Sequence, residues 1–461
     1  STAVGDVNTF SATPTATLSN AHNLAQLKAI NNAVSGTISL DDYTVALVGS
    51  AADVKAALDG SFGAAYTGNV TLNDTGSVAA ADISTIAGDT TGTVTVSGNM
   101  NITGTAAAIT TAVGNVDTFS GTPTAALSDA HTISQLVTIN NALSGTLTLN
   151  DYTVALSGSS ADVAAALDGT FASTYTGSAA VNDAHNISQL KTINDGTTGT
   201  ITLTDYSVAL SGTSADVAAA LDGTFASTYT GAATVSDAHT LDQLKTINNG
   251  TTGTITLNDV TVALSGSTAD VKAALDGTFA AGYTGNVTLG DADSASVAAA
   301  DISTIAGDTT GTVTVTNNIN ITGTAAAITT AVGDVDSFSG TPTATLSNAH
   351  NLAQLKAINN AVDGALTLAD YSVALAGSAA DIKAALAGTF AASYTGNVTI
   401  NDANGTGIAA TDISTIAGAT SGTVTVTNNI NITGTAAQIE TAVGDVDSFS
   451  GTPTATLSNA H

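Results

Sequence analysis

The chain has 461 residues, of which seven are Lys, none is Arg and 37 are acidic, giving a formal net charge of −30. With neither a basic patch nor an apolar run long enough to cross a bilayer, the sequence argues against binding to nucleic acid or anionic membrane surfaces and against membrane insertion. The absence of Cys excludes disulfides and thiolate zinc sites, and a hydrophobic fraction of 43% argues against wholesale disorder.

The chain is a tandem array, which restricts its fold class before any residue is assigned a role. A 54-residue repeat, called X below, begins with motifs such as NAHNLAQLKAINN, and a diverged repeat, called Y, carries ADISTIAGDTTGTVTV. X covers residues 18–72, 128–181, 182–235, 236–289 and 347–400, and Y covers 73–127, 290–346 and 401–457. A partial Y at 1–17 and the start of an X at 458–461 lack the atypical sequence of terminal caps, so we expect a longer array.

The first half of X predicts one helix and two strands. In the first copy the capping pair Asn23 and Gln26 precedes apolar residues at helical spacing, which predicts a short helix. Polar and apolar residues then alternate over 37–40 and again over 43–47, which predicts two strands separated by a tight turn.

The second half of X predicts another helix and a closing strand. Ser50 stands three residues before Asp53 at the predicted helix start, Gly60 is the predicted C-cap, and the strand covers 69–72. The same pair recurs as Ser159/Asp162, Thr213/Asp216, Ser267/Asp270 and Ser378/Asp381. Each repeat is therefore predicted to contain two helix-plus-strand passes of unequal length, a shorter one over 18–40 and a longer one over 41–72 in the first copy.

These elements predict a β/α solenoid, in which stacked strand-plus-short-helix coils from 54–57-residue tandem repeats form an elongated rod. One pass cannot bury its apolar stripe alone, whereas stacked passes bury a continuous core. Crossovers between parallel strands are right-handed in about 98% of cases, so we expect a right-handed coil. The alternative is a string of separate α+β folds, which the small size of one repeat and its short, apolar linkers disfavour.

Aromatic and His residues recur at fixed places in X. The Tyr of the YTG motif either covers the corner after the second helix, which we favour, or forms a sugar-stacking row. These residues are Tyr66, Tyr175, Tyr229, Tyr283 and Tyr394. An Ala-His pair precedes the first helix at His22, His131, His185, His239, His350 and His461. Equivalent His residues in adjacent X repeats would lie roughly 9–10 Å apart, too far to share zinc, so we expect capping or solvent-facing roles.

Asp supplies 36 of the 37 acidic residues, and most of them stand at predicted caps and turns. The exceptions are closely spaced oxygen ligands at the start of Y and near its end, which can converge on Ca²⁺. They are Asp291, Asp293, Asp402, Asn404, Asp334, Asp336, Asp445 and Asp447. These segments lack the twelfth-position acid of an EF-hand and the GGxGxD nonapeptide, but they make Ca²⁺ the one predicted cofactor.

The search for catalytic motifs is negative. The sequence has no HExxH, GxSxG or phosphate-binding loop, and no constellation is unique within the repeats, so we expect no enzyme. Repeated Thr-x-Thr strands, such as 93–95 and 254–256, raise ice binding as a third function. Outward-facing Thr is, however, the favoured polar residue of any strand.

The pieces DYTVALSGSSADVAAALDGTF at 151–171 and YTGNVTL at 283–289 resemble the tandem repeats of very large bacterial surface proteins. These include the giant swimming-motility and adhesin-like proteins of marine cyanobacteria. The resemblance covers the whole array, brings no catalytic residues, and implies an extracellular, cell-surface structural role. We therefore expect a fibre, filament or adhesin shaft that self-associates or continues as further repeats. The alternative is a repetitive binding module for polysaccharide or calcium-bridged neighbours.

Overall fold

The computed structural model describes residues 2–7 and 9–459, in which short helices alternate with short strands. The chain forms two compact units, one reaching up to Gly212 and including Asp216–Ala232, the other running from Ala233 and including Thr213–Ala215. The sixth Ala-His pair, at 460–461, lies outside the described residues, as does that part of the predicted X start at 458–461. The partial Y at 1–17 is described except at positions 1 and 8.

No helix in the described residues is longer than ten residues. The first unit contains α1 (Thr2–Gly5), α2 (Leu24–Ala33), α3 (Ala51–Leu58), α4 (Ala80–Asp89), α5 (Ala106–Gly114), α6 (Ile133–Ala142), α7 (Ser160–Leu167) and α8 (Ile187–Gly196). Helix α9 (Ser214–Leu221) falls where the chain divides. The second unit contains α10 (Leu241–Gly250), α11 (Thr268–Leu275), α12 (Ala299–Asp308), α13 (Ala325–Asp334), α14 (Leu352–Ala361), α15 (Ala379–Leu386), α16 (Ala410–Ala419) and α17 (Ala436–Asp445).

The strands have two to four residues and pair in parallel. The first unit contains β1 (Ala16–Thr17), β2 (Ile38–Ser39), β3 (Leu47–Gly49), β4 (Val70–Leu72), β5 (Ser77–Ala79), β6 (Val94–Val96), β7 (Asn101–Gly104), β8 (Thr118–Phe119), β9 (Thr124–Leu127), β10 (Leu147–Thr148), β11 (Leu156–Gly158), β12 (Ala179–Val181), β13 (Ile201–Leu203) and β14 (Leu210–Gly212). The second contains β15 (Ala233–Val235), β16 (Ile255–Leu257), β17 (Leu264–Gly266), β18 (Val287–Leu289), β19 (Ser296–Ala298), β20 (Val313–Val315), β21 (Asn320–Gly323), β22 (Ser337–Phe338), β23 (Thr343–Leu346), β24 (Leu366–Thr367), β25 (Leu375–Gly377), β26 (Val398–Ile400), β27 (Gly407–Ala409), β28 (Val424–Val426), β29 (Asn431–Gly434), β30 (Ser448–Phe449) and β31 (Thr454–Leu457).

Each step from one strand to its partner includes one helix. In the first unit, Leu47 pairs with Val70, which pairs in turn with Val94. The equivalent step in the second unit, where Val287 pairs with Val313, is longer, because the loop between β18 and β19 exceeds its counterpart between β4 and β5. The resulting sheets have orders such as β3-β4-β6-β8 and β17-β18-β20-β22.

Helices recur at a longer step than the strands. Helices α6, α7 and α8 begin at evenly spaced positions, Ile133, Ser160 and Ile187, whereas the paired residues Leu156 and Ala179 stand closer together in the sequence. The prediction of a shorter and a longer pass is therefore wrong, because the segment DYTVAL belongs to the first pass and not to the second. Because the two steps differ, successive strands of one sheet also take different positions relative to the helices. Strand β5 leads directly into α4, whereas β10, at the other edge of the same sheet, follows the end of α6.

Only the end of the strand predicted over 43–47 is a strand. Before β3 begins at Leu47, the Asp42 carboxylate accepts hydrogen bonds from the backbone N–H and the hydroxyl of Thr44, both at 2.7 Å. This Asx turn occupies the residues that would otherwise extend the strand. Strands β2 and β3 consequently belong to different sheets.

The predicted helix starts are confirmed. Asn23 and Gln26 each accept a hydrogen bond from the other's backbone N–H, and the same capping box begins α6, α8, α10 and α14. Ser50 accepts from the N–H of Asp53 at 3.1 Å, and Ser159, Ser267 and Ser378 cap their helices in the same way. Helix α3 ends at Leu58 with Asp59 as its C-cap, one residue before the predicted Gly60.

In each unit the core lies between the helices and the sheets. Leu27 of α2 and both Val70 and Leu72 of β4 are 0% exposed, and Ala57 lets α3 approach the strands closely at the same exposure. Consecutive helices contact each other within each unit. Repeated strand–helix units, parallel sheets and adjacent helices thus confirm the repetitive α/β part of the predicted fold.

Candidate functional site

The five described His residues are buried, so the prediction that they cap helices or face solvent is wrong. His22, His131, His185, His239 and His350 are 4–6% exposed. The ring Nε2 of each lies 3.0–3.2 Å from the hydroxyl of the Tyr that follows 44 residues later. The five Tyr residues are 1–2% exposed, as predicted for a covered corner, and their rings offer no face for sugar stacking.

The hydrogen bonds of each pair determine which ring nitrogen carries hydrogen. The Tyr175 hydroxyl donates its only hydrogen to the carbonyl of Val154 at 2.7 Å. His131 must therefore donate from Nε2 to the Tyr oxygen, which leaves its Nδ1 as a bare acceptor. Within the described residues Nδ1 is buried and makes no hydrogen bond in any of the five pairs.

Burial controls the protonation of these pairs. It lowers the pKa of His22 and of His131, and it raises the pKa of their Tyr partners. Nearby carboxylates oppose this effect on the His pKa more weakly, Asp42 at His22 and both Asp151 and Asp129 at His131. The other three pairs show the same directions. The rings are therefore neutral at physiological pH.

Asp or Asn side chains cap every second helix from a position 23 residues downstream. Asp291 accepts from the backbone N–H of Thr268 at 3.0 Å and from its hydroxyl at 2.5 Å, and Asp402 accepts from the N–H of Ala379 at 2.7 Å. The same bond joins Ala51–Asp74, Ala106–Asp129, Ser160–Asp183, Ser214–Asp237, Ala325–Asn348 and Ala436–Asn459. Each N–H belongs to the first helical residue, which has no acceptor inside its own helix. Two of the predicted calcium ligands are thus helix caps.

Asp293 and Asn404 anchor the longer loops at the start of the later Y repeats. The Oδ1 atom of each accepts a hydrogen bond at 2.9 Å from a backbone N–H 25 residues downstream. The next residue in each loop has a positive φ, 65° at Ser294 and 80° at Gly405. These side chains fix the turn against the following coil.

The remaining predicted calcium ligands lie near the end of Y. Asp334 and Asp445 are the last residues of α13 and α17. Asp336 and Asp447 each accept a hydrogen bond from a strand N–H 23 residues upstream, at 2.8 and 2.7 Å. These carboxylates extend the strand ladders and do not form a shared cluster.

The predicted calcium ligands do not fit a metal site in this arrangement. Across residues 2–7 and 9–459, no three His, Cys, Asp or Glu side chains are grouped to hold a metal ion. Six of the eight predicted ligands already accept hydrogen bonds from backbone N–H groups of another coil. Ca²⁺ takes six to eight oxygen ligands, which these positions do not bring together. Calcium binding stays a prediction without a structural site.

All seven Lys residues of the chain form ion pairs with Asp. Each Nζ contacts an Asp in the first turn of the next helix, where the helix dipole also favours negative charge. The pairs are Lys28–Asp53, Lys55–Asp82, Lys191–Asp216, Lys245–Asp270, Lys272–Asp301, Lys356–Asp381 and Lys383–Asp412. No lysine is therefore left to pair with the other 30 acidic residues, which account for the net charge of −30. The paired side chains are 32–44% exposed, so solvent and salt weaken the attraction.

An unusual acidic pair stands at the first two junctions from X to Y. Asp89 ends α4, and its buried Oδ2 has no hydrogen-bond partner within the described residues. Burial raises the pKa of Asp89, the charge of Asp59 raises it further, and Lys55 lowers it. The second junction repeats the arrangement with Asp276 and Asp308. At the third junction both positions hold Ala, at Ala387 and Ala419.

The surface grooves are lined mainly by small and charged side chains. One groove along α2 is lined by Leu24, Ala25 and Lys28, and its counterpart recurs along α14. A more polar groove in the first unit includes Asp168 and Phe171. None of these three grooves contains a His or a paired nucleophile and base.

The hydrogen bonds that Asp and Asn make between coils were missed by sequence reasoning. The signal was a spacing: Asp74 stands 23 residues after Ala51, which is one step of strand pairing and so places it beside that residue. The 44-residue separation of each His from its Tyr was also visible. Neither spacing indicates a contact until the number of residues per coil is known.

No protein-family model matches the chain, and no curated protein sequence does either. Among the helices of the described part of the chain, none combines the length and apolar character needed to cross a lipid bilayer. The function is therefore inferred from the arrangement of the chain's own residues.

Proposed function

We propose that this chain is a structural repeat region of an extracellular fibre, filament or adhesin shaft on a bacterial surface. The observation that supports this most directly is that the polar groups of one coil bond to another coil. The seven Lys residues pair with the following helix, and the capping Asp and Asn residues bond to the preceding one. The described His residues are buried in hydrogen bonds to Tyr. These side chains hold the repeats together instead of facing a ligand.

Solenoid stacking of the coils would determine the length of the proposed shaft. Parallel strands lie about 4.7–4.9 Å apart, and paired strand residues stand 22–26 residues apart in the sequence, so a 54–57-residue repeat contributes slightly more than two strand layers. A repeat then adds roughly 11 Å, and eight repeats extend about 90 Å. Further copies would lengthen the shaft without changing its local contacts.

The acidic surface suits such a shaft. A net charge of −30 keeps neighbouring chains apart unless cations bridge them. The absence of Cys means that its stability does not depend on disulfides outside the cell. The extracellular location itself is proposed from the resemblance to giant surface proteins.

Electron microscopy and small-angle scattering test the proposal on the purified chain. We expect a rod of about 90 Å from eight repeats, and an in-register deletion of residues 182–235 should shorten it by roughly 11 Å. The matched control is a chain in which that repeat is replaced by a second copy of 128–181, whose length should not change. Globular particles, or a length that the deletion leaves unchanged, would refute the shaft.

Burial of the five YTG Tyr residues leaves their rings unavailable for sugar stacking, which was one of the two predicted surfaces of a binding module, the other being the Asp loops. Outward Thr residues do pair in register, Thr71 with Thr95 and Thr95 with Thr118, but this ladder ends after three strands. We therefore propose neither polysaccharide binding nor ice binding for the chain.

A further inference from the structure

Each buried His–Tyr pair joins segments at both ends of an X repeat. His131 precedes α6, Tyr175 follows α7, and the Tyr hydroxyl bonds the carbonyl of Val154 between them. A single chain of two hydrogen bonds thus ties together three segments that the sequence separates by up to 44 residues. All the His residues of the chain lie in X, so the Y repeats have no equivalent bond.

A further proton can bind such a ring at only one nitrogen. Nε2 already carries hydrogen, so the proton must bind Nδ1, which is buried and has no acceptor among the described residues. The resulting N–H and its charge would both lie in a site that is 4–6% exposed. Burying an unpaired charge is strongly unfavourable, whereas the opened repeat exposes the imidazolium to water.

Carboxylates face these rings without bonding to them. They are Asp42 at His22, Asp151 and Asp129 at His131, Asp205 and Asp183 at His185, Asp259 and Asp237 at His239, and Asp370 at His350. At His131, Oδ1 of Asp151 accepts from Thr153 and Oδ1 of Asp129 caps α5, and among the described residues neither carboxylate makes a hydrogen bond to the ring. The Tyr hydroxyl is the other titratable group in contact, and it stays protonated in acid. Attraction to the carboxylates is therefore weaker than the effect of burial.

We propose that the five His–Tyr pairs act as an acid-sensitive latch, which opens the X repeats in acidic surroundings and leaves the Y repeats closed. The inference rests on geometry inside each X repeat and is independent of the proposed structural function. It makes acid a signal that loosens five of the eight complete repeats.

The sign of the pH effect separates the latch from the surface charge. Burial lowers the pKa of each closed His below its ordinary value of 6.5. Below about pH 6.5 the opened form therefore binds a proton that the closed form does not bind. The equilibrium constant for opening then rises by up to about tenfold per pH unit for each His. Relief of the repulsion within a chain of net charge −30 acts in the opposite direction, and Asp residues whose pKa is lowered by hydrogen bonds, such as Asp42 and Asp53, destabilise the closed chain only as the pH falls below their ordinary value of 3.8.

Hydrogen exchange of the full chain, read by mass spectrometry between pH 7.5 and 5.0 and corrected for intrinsic exchange rates, tests the latch. Peptides from α7 in X should lose protection by up to about tenfold per pH unit below pH 6.5, whereas peptides from α5 in Y should not. Equal changes in X and Y, or unchanged protection in both, would overturn the proposal.

His131→Gln provides the variant test. The 128–181 repeat should lose its acid response, while the four other X repeats keep theirs as internal controls. If that repeat is unprotected at every pH, ¹⁵N spectroscopy of the unaltered chain decides. A bare Nδ1 that does not titrate while the array is closed supports the latch, and His signals that titrate near pH 6.5 without loss of protection refute it.

Discussion

Replacing Asp402 with Ala should loosen helix α15. The Asp402 carboxylate accepts a hydrogen bond at 2.7 Å from the first N–H of α15, at Ala379, which is 3% exposed. Losing an N-terminal cap costs about 0.5–2 kcal/mol, and an unsatisfied buried donor costs about 1–3 kcal/mol. We therefore expect about 2 kcal/mol of lost local stability, which corresponds to roughly thirtyfold faster exchange of the α15 amides.

Asp402→Asn is the matched control, because the chain itself uses Asn in this position. Asn348 caps Ala325 at 2.8 Å through its side-chain oxygen. The amide keeps the hydrogen bond and loses only the charge at the helix N-terminus, which is worth about 0.3–1 kcal/mol. Exchange in α15 should thus rise several-fold at most.

Hydrogen exchange of the full-length variants measures both changes locally, which avoids assuming two-state unfolding in a repeat array. Equal exchange rates for the Ala variant and the unaltered chain would refute the capping role. Calorimetric titration with Ca²⁺, and with chelator, adds a second comparison. If Ca²⁺ binds with measurable heat and Asp402→Asn abolishes that heat, Asp402 is a calcium ligand and not only a cap.

Three further changes follow from the same contacts. Ser294→Gly should stabilise its loop by about 1 kcal/mol, because a left-handed conformation is unfavourable for a residue with a Cβ, and Gly405→Ser should reverse this. Asp89→Ala should stabilise the first X–Y junction by about 1 kcal/mol at pH 7, since it removes an unsatisfied buried oxygen. The gain should shrink as acid protonates Asp89, whose raised pKa favours the closed state at low pH. Tyr175→Phe should cost about 2 kcal/mol by leaving His131 without its acceptor.

Thermal and urea unfolding measure these three effects, with local exchange to assign them. Asp308→Ala serves as a replicate for the first junction, and the third junction, with Ala at both positions, should show no such pH dependence. A destabilised Ser294→Gly variant would contradict the backbone argument. A Tyr175→Phe variant as stable as the unaltered chain would mean that the hydroxyl contributes nothing to its repeat.

Local signals predicted the elements well. Asn23 with Gln26 and Ser50 with Asp53 are caps whose partners lie three residues away, so the sequence order already places them together. Burial of Tyr175 also followed from its place after a helix. The two caps depend on only one turn of chain.

Contacts between coils could not be predicted in the same way. Asp402 has the spacing of a calcium ligand when it is read with its neighbours, but its partner is Ala379, 23 residues upstream. His131 precedes a helix, which suggested a cap, yet its ring turns inward to Tyr175. Both errors come from not knowing the number of residues per coil, since that number decides which side chains meet.

The different steps of helices and strands stagger short sheets along the chain. A sheet that drifts relative to the helices must end, and none of the sheets in the described residues has more than four strands. Neighbouring sheets overlap in the sequence, since β5 lies between β4 and β6, and bridges such as Leu147–Phe171 continue beyond a sheet's end, so each coil is held by short sets of hydrogen bonds to its neighbours. A proteolytic cut or an imperfect repeat should therefore release a few neighbouring coils and leave more distant ones folded. Tolerance of local damage would then be a direct consequence of the unequal steps of helices and strands in one chain.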